Sequence, residues 1–225
     1  PIAIIVAVLT GLFGGLVNGM AVTGIGVHPL IVTLATMAAY RGVAEGISMA
    51  RPISGFPEAF AVLGQGTVAG IPVPGLIFAV AFCLVGAFLW LMPWGRCLYA
   101  IGHNERACRF SGIPSRLIKL WLYALSGATA GLTAVLYVSR RNTAKADIGT
   151  GLELDVITAV VLGGTSIFGG RGGLCGTFLG ILLIHEVREF VTWHWNRGEL
   201  VLVVVGALLI LSVSLHKFMG RKRAE

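Results

Sequence analysis

The stretch PIAIIVAVLTGLFGGLVNGMAVTGIGVHPLIVTLATMAAY, Pro1 to Tyr40, contains no Asp, Glu, Lys or Arg. A helix that crosses a bilayer needs about 20 predominantly apolar residues. This run is long enough for two of them, with a turn marked by Gly24-Ile25-Gly26-Val27-His28-Pro29. The same reading extends along the chain. Ile71 to Trp94 and Leu120 to Ser139 are also free of charge, and each fits one span. Seven hydrophobic segments emerge, at about 1–22, 29–48, 71–93, 118–139, 154–169, 172–191 and 199–216. The expected fold class is all-α: one polytopic transmembrane bundle over residues 1–225, with a polar connecting loop at about 95–119.

Composition agrees. The chain is 56% hydrophobic and 12% charged, with a mean hydropathy of +0.88. Soluble domains carry about twice that charged fraction, because their surface must stay wetted. The apolar surface is therefore expected to face lipid or other helices. No basic segment precedes the first apolar run, which argues against a secretory signal. The chain does not begin with Met and is expected to be part of a longer protein.

The loop from Gly95 to Lys119 carries Arg96, Arg106, Arg109, Arg116 and Lys119 against one acid, Glu105. Basic residues favour the cytoplasmic side, so this loop is placed there. Four segments later the tail carries Lys217, Arg221, Lys222 and Arg223, and an even count returns it to the same side. Residues 51–70 then fall outside. So does the loop 140–153, where Arg140, Arg141 and Lys145 imply either an exception to the rule, the favoured reading, or a re-entrant segment before it. With Arg171, these two clusters hold ten of the 17 basic residues. The net charge of +7 thus follows membrane topology, and no nucleic-acid-binding motif accompanies it.

Gly11, Gly15 and Gly19 recur every four residues, as do Gly172, Gly176 and Gly180, with Gly127 and Gly131 a shorter instance. On helices this spacing makes grooves that let a second helix come close. The segment Val156 to Gly170 has only 15 uncharged residues. As a helix it would be roughly 22 Å long, short of the ~30 Å hydrocarbon core. It is expected to be tilted, extended by its flanks, or broken and shielded by its neighbours.

Catalytic chemistry finds little support. The turn Gly163 to Arg171 is Gly-rich but lacks the Lys-Ser/Thr of a phosphate-binding Walker loop, and reads as a structural turn. His185-Glu186-Val187-Arg188-Glu189 begins like a zinc helix but ends in Glu rather than His. The following Trp193-His194-Trp195 reads as an interfacial aromatic belt. Cys83, Cys97, Cys108 and Cys175 form no CxxC pair, and neither a disulfide framework nor a metal site is expected. Ser126 and Ser139 stand in no nucleophile context. No catalytic residue and no cofactor are expected. Glu45 follows Arg41 at helical spacing, and the two suggest either an interfacial ion pair or a contact to solute.

The loop itself is the most informative stretch. Asn104 can cap a helix beginning at Glu105, and Gly112 with Pro114 can stop it. A short helix with Ala107 and Phe110 among basic residues would then be displayed, either to dock on a partner or as a solvated connector.

This loop, together with Leu125-Ser126-Gly127, Ala130-Gly131-Leu132, Leu154 to Gly164 and Gly169-Gly170-Arg171-Gly172-Gly173, resembles the ABC permeases of the ribose and autoinducer-2 importer group. The resemblance runs from about Gly14 to Leu211. Gly55-Phe56-Pro57 and Gly70-Ile71-Pro72-Val73-Pro74 are most similar to the autoinducer-2 and rhamnose-type members. Cys108 and Cys175 depart from the small residues expected there, and the resemblance implies an expectation of at least one further N-terminal span. The resemblance implies an inner-membrane importer of a sugar-like solute. Its expected partners are cytoplasmic ATP-binding subunits, a periplasmic solute-binding protein and a second permease subunit of the same or a sister chain. It also implies that Gly102, Asn104, Glu105, Arg109, Phe110, Gly112 and Ile113 belong to the segment that couples to the ATPase. A branched-chain amino-acid permease is the nearest alternative. An ion-coupled carrier would need more intramembrane acids than Glu45 and Glu186 supply.

Overall fold

The computed structural model describes residues 2–166, 169–195 and 198–221. Lys222 and Arg223 of the basic tail, and Ile167 and Phe168 of the Gly-rich turn, lie outside the described residues. Lipid offers the backbone no hydrogen-bond partners, so the apolar runs close their own bonds as helices. They are α1 (Ile2–Met20), α2 (Pro29–Ser48), α3 (Glu58–Gln65), α4 (Val73–Leu91), α5 (Pro93–His103), α6 (Glu105–Phe110), α7 (Ser115–Arg141), α8 (Leu152–Leu162), α9 (Leu174–Trp195) and α10 (Gly198–Arg221). Each of the seven apolar segments corresponds to a helix. α1 runs on into a π-helical turn, Ala21–Ile25. It ends where Gly26 adopts φ +80°, and the His28 side chain then accepts from Leu30 N–H at the start of α2. Short strands add little: β1 (Ile53–Ser54) pairs antiparallel with β4 (Thr143–Ala144), and β2 (Thr67–Val68) with β3 (Ile71–Pro72).

Among the described residues four helical stretches are long and apolar enough to cross a membrane: Ile2–Ile25, Pro29–Ser48, Val73–Leu91 and Ser115–Arg141. α4 buries none of its residues fully, and Phe78, Val80, Leu84 and Trp90 on it are exposed. α7 has 27 residues and is roughly 40 Å long, with Arg116 and Lys119 near one end and Arg140 and Arg141 at the other.

The chain forms two compact units. One comprises Pro1–Gly95 and Cys108–Ile148, the other Arg96–Ala107 and Gly149–Glu225. In the first, α1 and α7 are packed along most of their length. A Cβ on Gly11 would strike the Gly127 carbonyl, one on Gly15 the Tyr123 carbonyl, and one on Gly131 the backbone of Ala7 and Val8. The order of these partners makes the pair antiparallel. Two glycine grooves thus fill each other.

At one end of this unit α3 packs on α7. Ser139 is fully buried and donates to the Phe60 carbonyl at 2.5 Å, and Gln65 Nε2 donates to the Arg140 carbonyl at 3.0 Å. Phe56 N–H donates to Asn142 Oδ1 at 3.3 Å beside the β1–β4 pair. Residues 51–70 and 139–144, which charge parity assigns to one side, are therefore joined. Two of the three basic residues that break the parity rule, Arg141 and Lys145, make local contacts. Lys145 pairs with Asp147 at 2.6 Å, and the Arg141 guanidinium lies 5.5 Å from the Tyr137 ring centre. Lys145 holds the Asp147 carboxyl below its ordinary value, chiefly through that hydrogen bond. Arg41 and Glu45 make no ion pair, and Glu45 is exposed.

The second unit is organised around α8. It is only 11 residues long, and it buries Asp155, Thr158, Ala159 and Val161 against its neighbours α9 and α10. The helix takes in its N-terminal flank from Leu152, stops at Leu162 and is shielded by its neighbours. α8 and α9 are antiparallel and close. A Cβ on Gly180 would strike the Ala159 carbonyl, and one on Gly176 the Gly163 carbonyl. Val191, Val201 and Val205 form a small core between α9 and α10. Near the end of α9, His194 stacks on Phe190 with ring centres 5.1 Å apart, and Trp193 and Trp195 are exposed, as an interfacial belt requires.

Candidate functional site

The connector between α4 and α7 holds the short helix expected at Glu105 and also a longer one, α5, that the reading as a polar loop did not include. Asn104 Oδ1 accepts from Ala107 N–H at 3.1 Å, closing the first turn of α6 at Glu105, which is half-buried. Helix starts leave N–H groups without partners, and a capping amide satisfies one of them. At the other end Gly112 adopts φ +80°. Its N–H donates to the Arg109 carbonyl at 3.1 Å, and Ile113 N–H donates to the Cys108 carbonyl at 3.0 Å. This left-handed stop closes the last turn, and a side chain at 112 would strain it.

The helix between these caps has two different faces. Cys108 is buried at 7% exposure, whereas Phe110, two residues on, is 93% exposed. Arg106, Ala107 and Arg109 also lie on the surface. Arg109 Nε donates to Ser115 Oγ at 3.1 Å, and Ser115 is almost fully buried at the first position of α7. Sequence reasoning missed this tie. Its only trace was a serine following Pro114, where a helix would begin.

Gly102 has a different setting from the other residues of the connector. A Cβ there would collide with the backbone of Gly170. Gly170 in turn sits against the His103 ring, whose Nδ1 lies 3.2 Å from the Tyr99 carbonyl oxygen. Tyr99 Oη donates to the Gly172 carbonyl at 3.2 Å. Within the turn Ser166 N–H donates to the Arg171 carbonyl at 2.9 Å, and Gly169 N–H to the Ser166 carbonyl at 3.1 Å. The Gly-rich stretch is therefore a structural turn that seats the end of α5. Its glycines, at φ +89° for Gly169 and +77° for Gly170, allow both the bend and the close approach. The grouping expected from sequence thus separates in the structure. Asn104 to Ile113 build a displayed helix, while Gly102 anchors α5 to the turn.

Sequence reasoning also passed over an ion pair inside the second unit. Arg188 on α9 donates through Nη2 to Asp155 Oδ2 on α8. It had been read only as part of the His185–Glu189 run.

Helices long and apolar enough for several crossings, joined by glycine-packed seams, are those of a multi-pass membrane protein. The comparisons with known proteins are specific. A family model described as branched-chain amino acid transport system / permease component matches residues 1–213, and the chain belongs to that family. The autoinducer 2 import system permease protein LsrD of Yersinia enterocolitica is 38% identical over 227 residues, covering 96% of this chain and 69% of its own. The LsrD protein of Yersinia pestis is 35% identical, with 96% and 68% covered. The ribose import permease protein RbsC of Bacillus subtilis is 37% identical over 202 residues, with 89% and 63% covered. The resemblance read from the motifs is thereby borne out. No solved structure matches the chain.

Proposed function

We propose that this chain is the membrane-spanning permease subunit of an ATP-driven importer in a bacterial inner membrane, and that α6 docks on a cytoplasmic ATPase. The observation that carries this reading is Phe110. A large aromatic side chain at 93% exposure forgoes about 1.5–3 kcal/mol of burial, yet the helix that displays it is capped at both ends. α6 is held by Asn104, Gly112 and the Arg109–Ser115 hydrogen bond, none of which needs Phe110. That leaves Phe110 available to a partner, with Arg106 beside it to fix orientation. Because Arg109 ties α6 to the first turn of α7, a displacement of α6 by the ATPase is passed to a 27-residue helix.

Hydrolysis belongs to the partner in this scheme, since the Gly-rich turn is a backbone support for α5. The relatives are named for import of autoinducer 2 and ribose. Those names favour a sugar-like solute over a branched-chain amino acid. A solute-binding protein outside and a second permease subunit, identical or a sister chain, complete the machine. The charge parity supports α6 inside and residues 51–70 outside.

Phe110→Asp tests the reading. It introduces a charge where a buried contact should form, at a cost of several kcal/mol. The variant should insert and elute as the native chain does, yet lose ATPase pull-down and ATP-dependent solute uptake. Normal pull-down and uptake would make α6 a solvated connector.

A further inference from the structure

Tyr99, Gly102 and His103 stand at i, i+3 and i+4 on α5, the spacing that shares one face of a helix, and each of them meets the Gly-rich turn. Tyr99 Oη donates to the Gly172 carbonyl at 3.2 Å, and its ring is half-buried. A Cβ on Gly102 would collide with Gly170, and one on Gly169 would meet the Gly102 carbonyl oxygen. The His103 ring lies against Gly170. At Gly102 helix and turn thus touch through backbone, with no flexible side chain between them to take up a shift. The turn is joined as closely to the helices on either side of it. α8 enters it and α9 leaves it, and their backbones approach at Gly163 with Gly176 and at Ala159 with Gly180. At the other end only Asn104 separates α5 from α6, and Asn104 N–H donates to the Ala100 carbonyl at 3.0 Å.

We infer that α5 is a stiff arm through which α6, when the ATPase displaces it, moves the α8–α9 pair, and that Tyr99 is the positioning residue that keeps the arm on the turn. The inference rests on the importer reading and adds a second output to it. The Arg109–Ser115 hydrogen bond ties the end of α6 to α7, whereas α5 ties its start to the turn. Coupling between distant parts of a protein is carried by rigid elements and packed contacts. α5 is a continuous helix roughly 16 Å long, and close-packed backbone has little compressibility, so a push is passed on rather than absorbed. Steric contact works in one direction only. Gly102 against Gly170 opposes compression but does little to oppose separation. The Tyr99 hydroxyl supplies the missing direction, because its hydrogen bond to Gly172 must break before arm and turn can part. Gly102 therefore transmits the push and Tyr99 the pull.

The test uses the chain coexpressed with its ATP-binding subunits and placed in lipid nanodiscs, with the native Cys175 as reporter. Cys175 is exposed at the second position of α9, just past the turn. Its modification by N-ethylmaleimide is followed by peptide mass spectrometry, which separates it from Cys83, Cys97 and Cys108. The rate is compared without nucleotide and after trapping with ATP and vanadate. In the native complex trapping should change the rate several-fold. Tyr99→Phe should bring the trapped-to-free ratio closer to one by a factor of about two to ten, the scale of one neutral hydrogen bond. Its ATPase pull-down and ATP hydrolysis should stay native. Gly102→Ala, which holds the arm off the turn, should also bring the ratio toward one. A Cys175 rate that does not respond to trapping in the native complex overturns the arm and leaves the importer reading standing. A native chain that retains no ATP-binding subunit overturns both. The native ratio in a folded Tyr99→Phe variant overturns the arm, as does a fall in hydrolysis that merely follows the folded fraction while the ratio stays native. Should Tyr99→Phe misfold, His103→Ala at its exposed position takes its place, and a native ratio there decides against the arm.

Discussion

The seam between α1 and α7 and the seam between α8 and α9 are made by the same device, and the second continues into a partly buried ion pair. Gly11, Gly15, Gly127 and Gly131 bring α1 and α7 together through backbone alone. Gly163, Gly176 and Gly180 do the same for α8 and α9, but that seam continues into the Asp155–Arg188 pair. Close packing of small residues is sufficient to join membrane helices. The ion pair is therefore not needed for joining them, and desolvating two charges often cancels what their attraction contributes. Charged residues inside a membrane protein more often mark a pathway than a support. The two seams thus differ in that one of them buries a carboxylate beside its glycines.

The largest effect should come from breaking the charged seam on one side. Arg188→Met leaves the buried Asp155 carboxylate uncompensated, which costs about 3–5 kcal/mol. Thermal unfolding in detergent should show the loss, and Asp155→Leu with Arg188→Met should recover most of it while uptake stays abolished. A stable, transporting double variant would mean that both seams are purely structural. A smaller effect is expected in the uncharged seam. Gly127→Ala places a methyl group against the Gly11 carbonyl, and such overpacking costs about 1–3 kcal/mol. Its melting temperature should fall, with residual uptake in proportion to the folded fraction. Uptake lost from a fully folded Gly127→Ala variant would show that this seam must move during transport.

The smallest effect belongs to neither seam. The Asp147 carboxyl is held below its ordinary value of 3.8, chiefly by the Lys145 hydrogen bond. A carboxyl depressed in the folded state contributes stability above its unfolded value and loses it as pH falls. Lys145→Met should lower the melting temperature slightly at neutral pH, and the difference should vanish on acidification below 3.8. Both groups are exposed, so the difference should be far smaller than either seam effect. A shift as large as that of Gly127→Ala would mean that this loop supports the bundle.

Different parts of the molecule were legible to different degrees. The α6 connector could be read residue by residue, because a cap at Asn104 and a stop at Gly112 are local events. The turn at Gly24 to Pro29 was readable for the same reason. The Arg109–Ser115 tie was not, because a side-chain hydrogen bond across a turn leaves no periodicity. Gly102 was grouped with the connector by its place in the chain, but the glycines it meets are almost 70 positions away. Asp155 and Arg188 are 33 residues apart, one in the Leu154–Gly164 motif and the other in the His185–Glu189 run, and nothing local links them.

The sequence by itself determined the positions of the seven apolar helices, the caps of α6 and the family. Those properties follow from hydropathy and local backbone chemistry, which act over one or two helical turns. Tertiary structure alone decided that the groove of α1 would receive the groove of α7, and that Gly102 would seat against Gly170. It also brought Asp155 and Arg188 together while leaving one carboxylate oxygen without a donor. A glycine groove states only that some backbone can come close. Which backbone does so is settled by the simultaneous packing of every other helix.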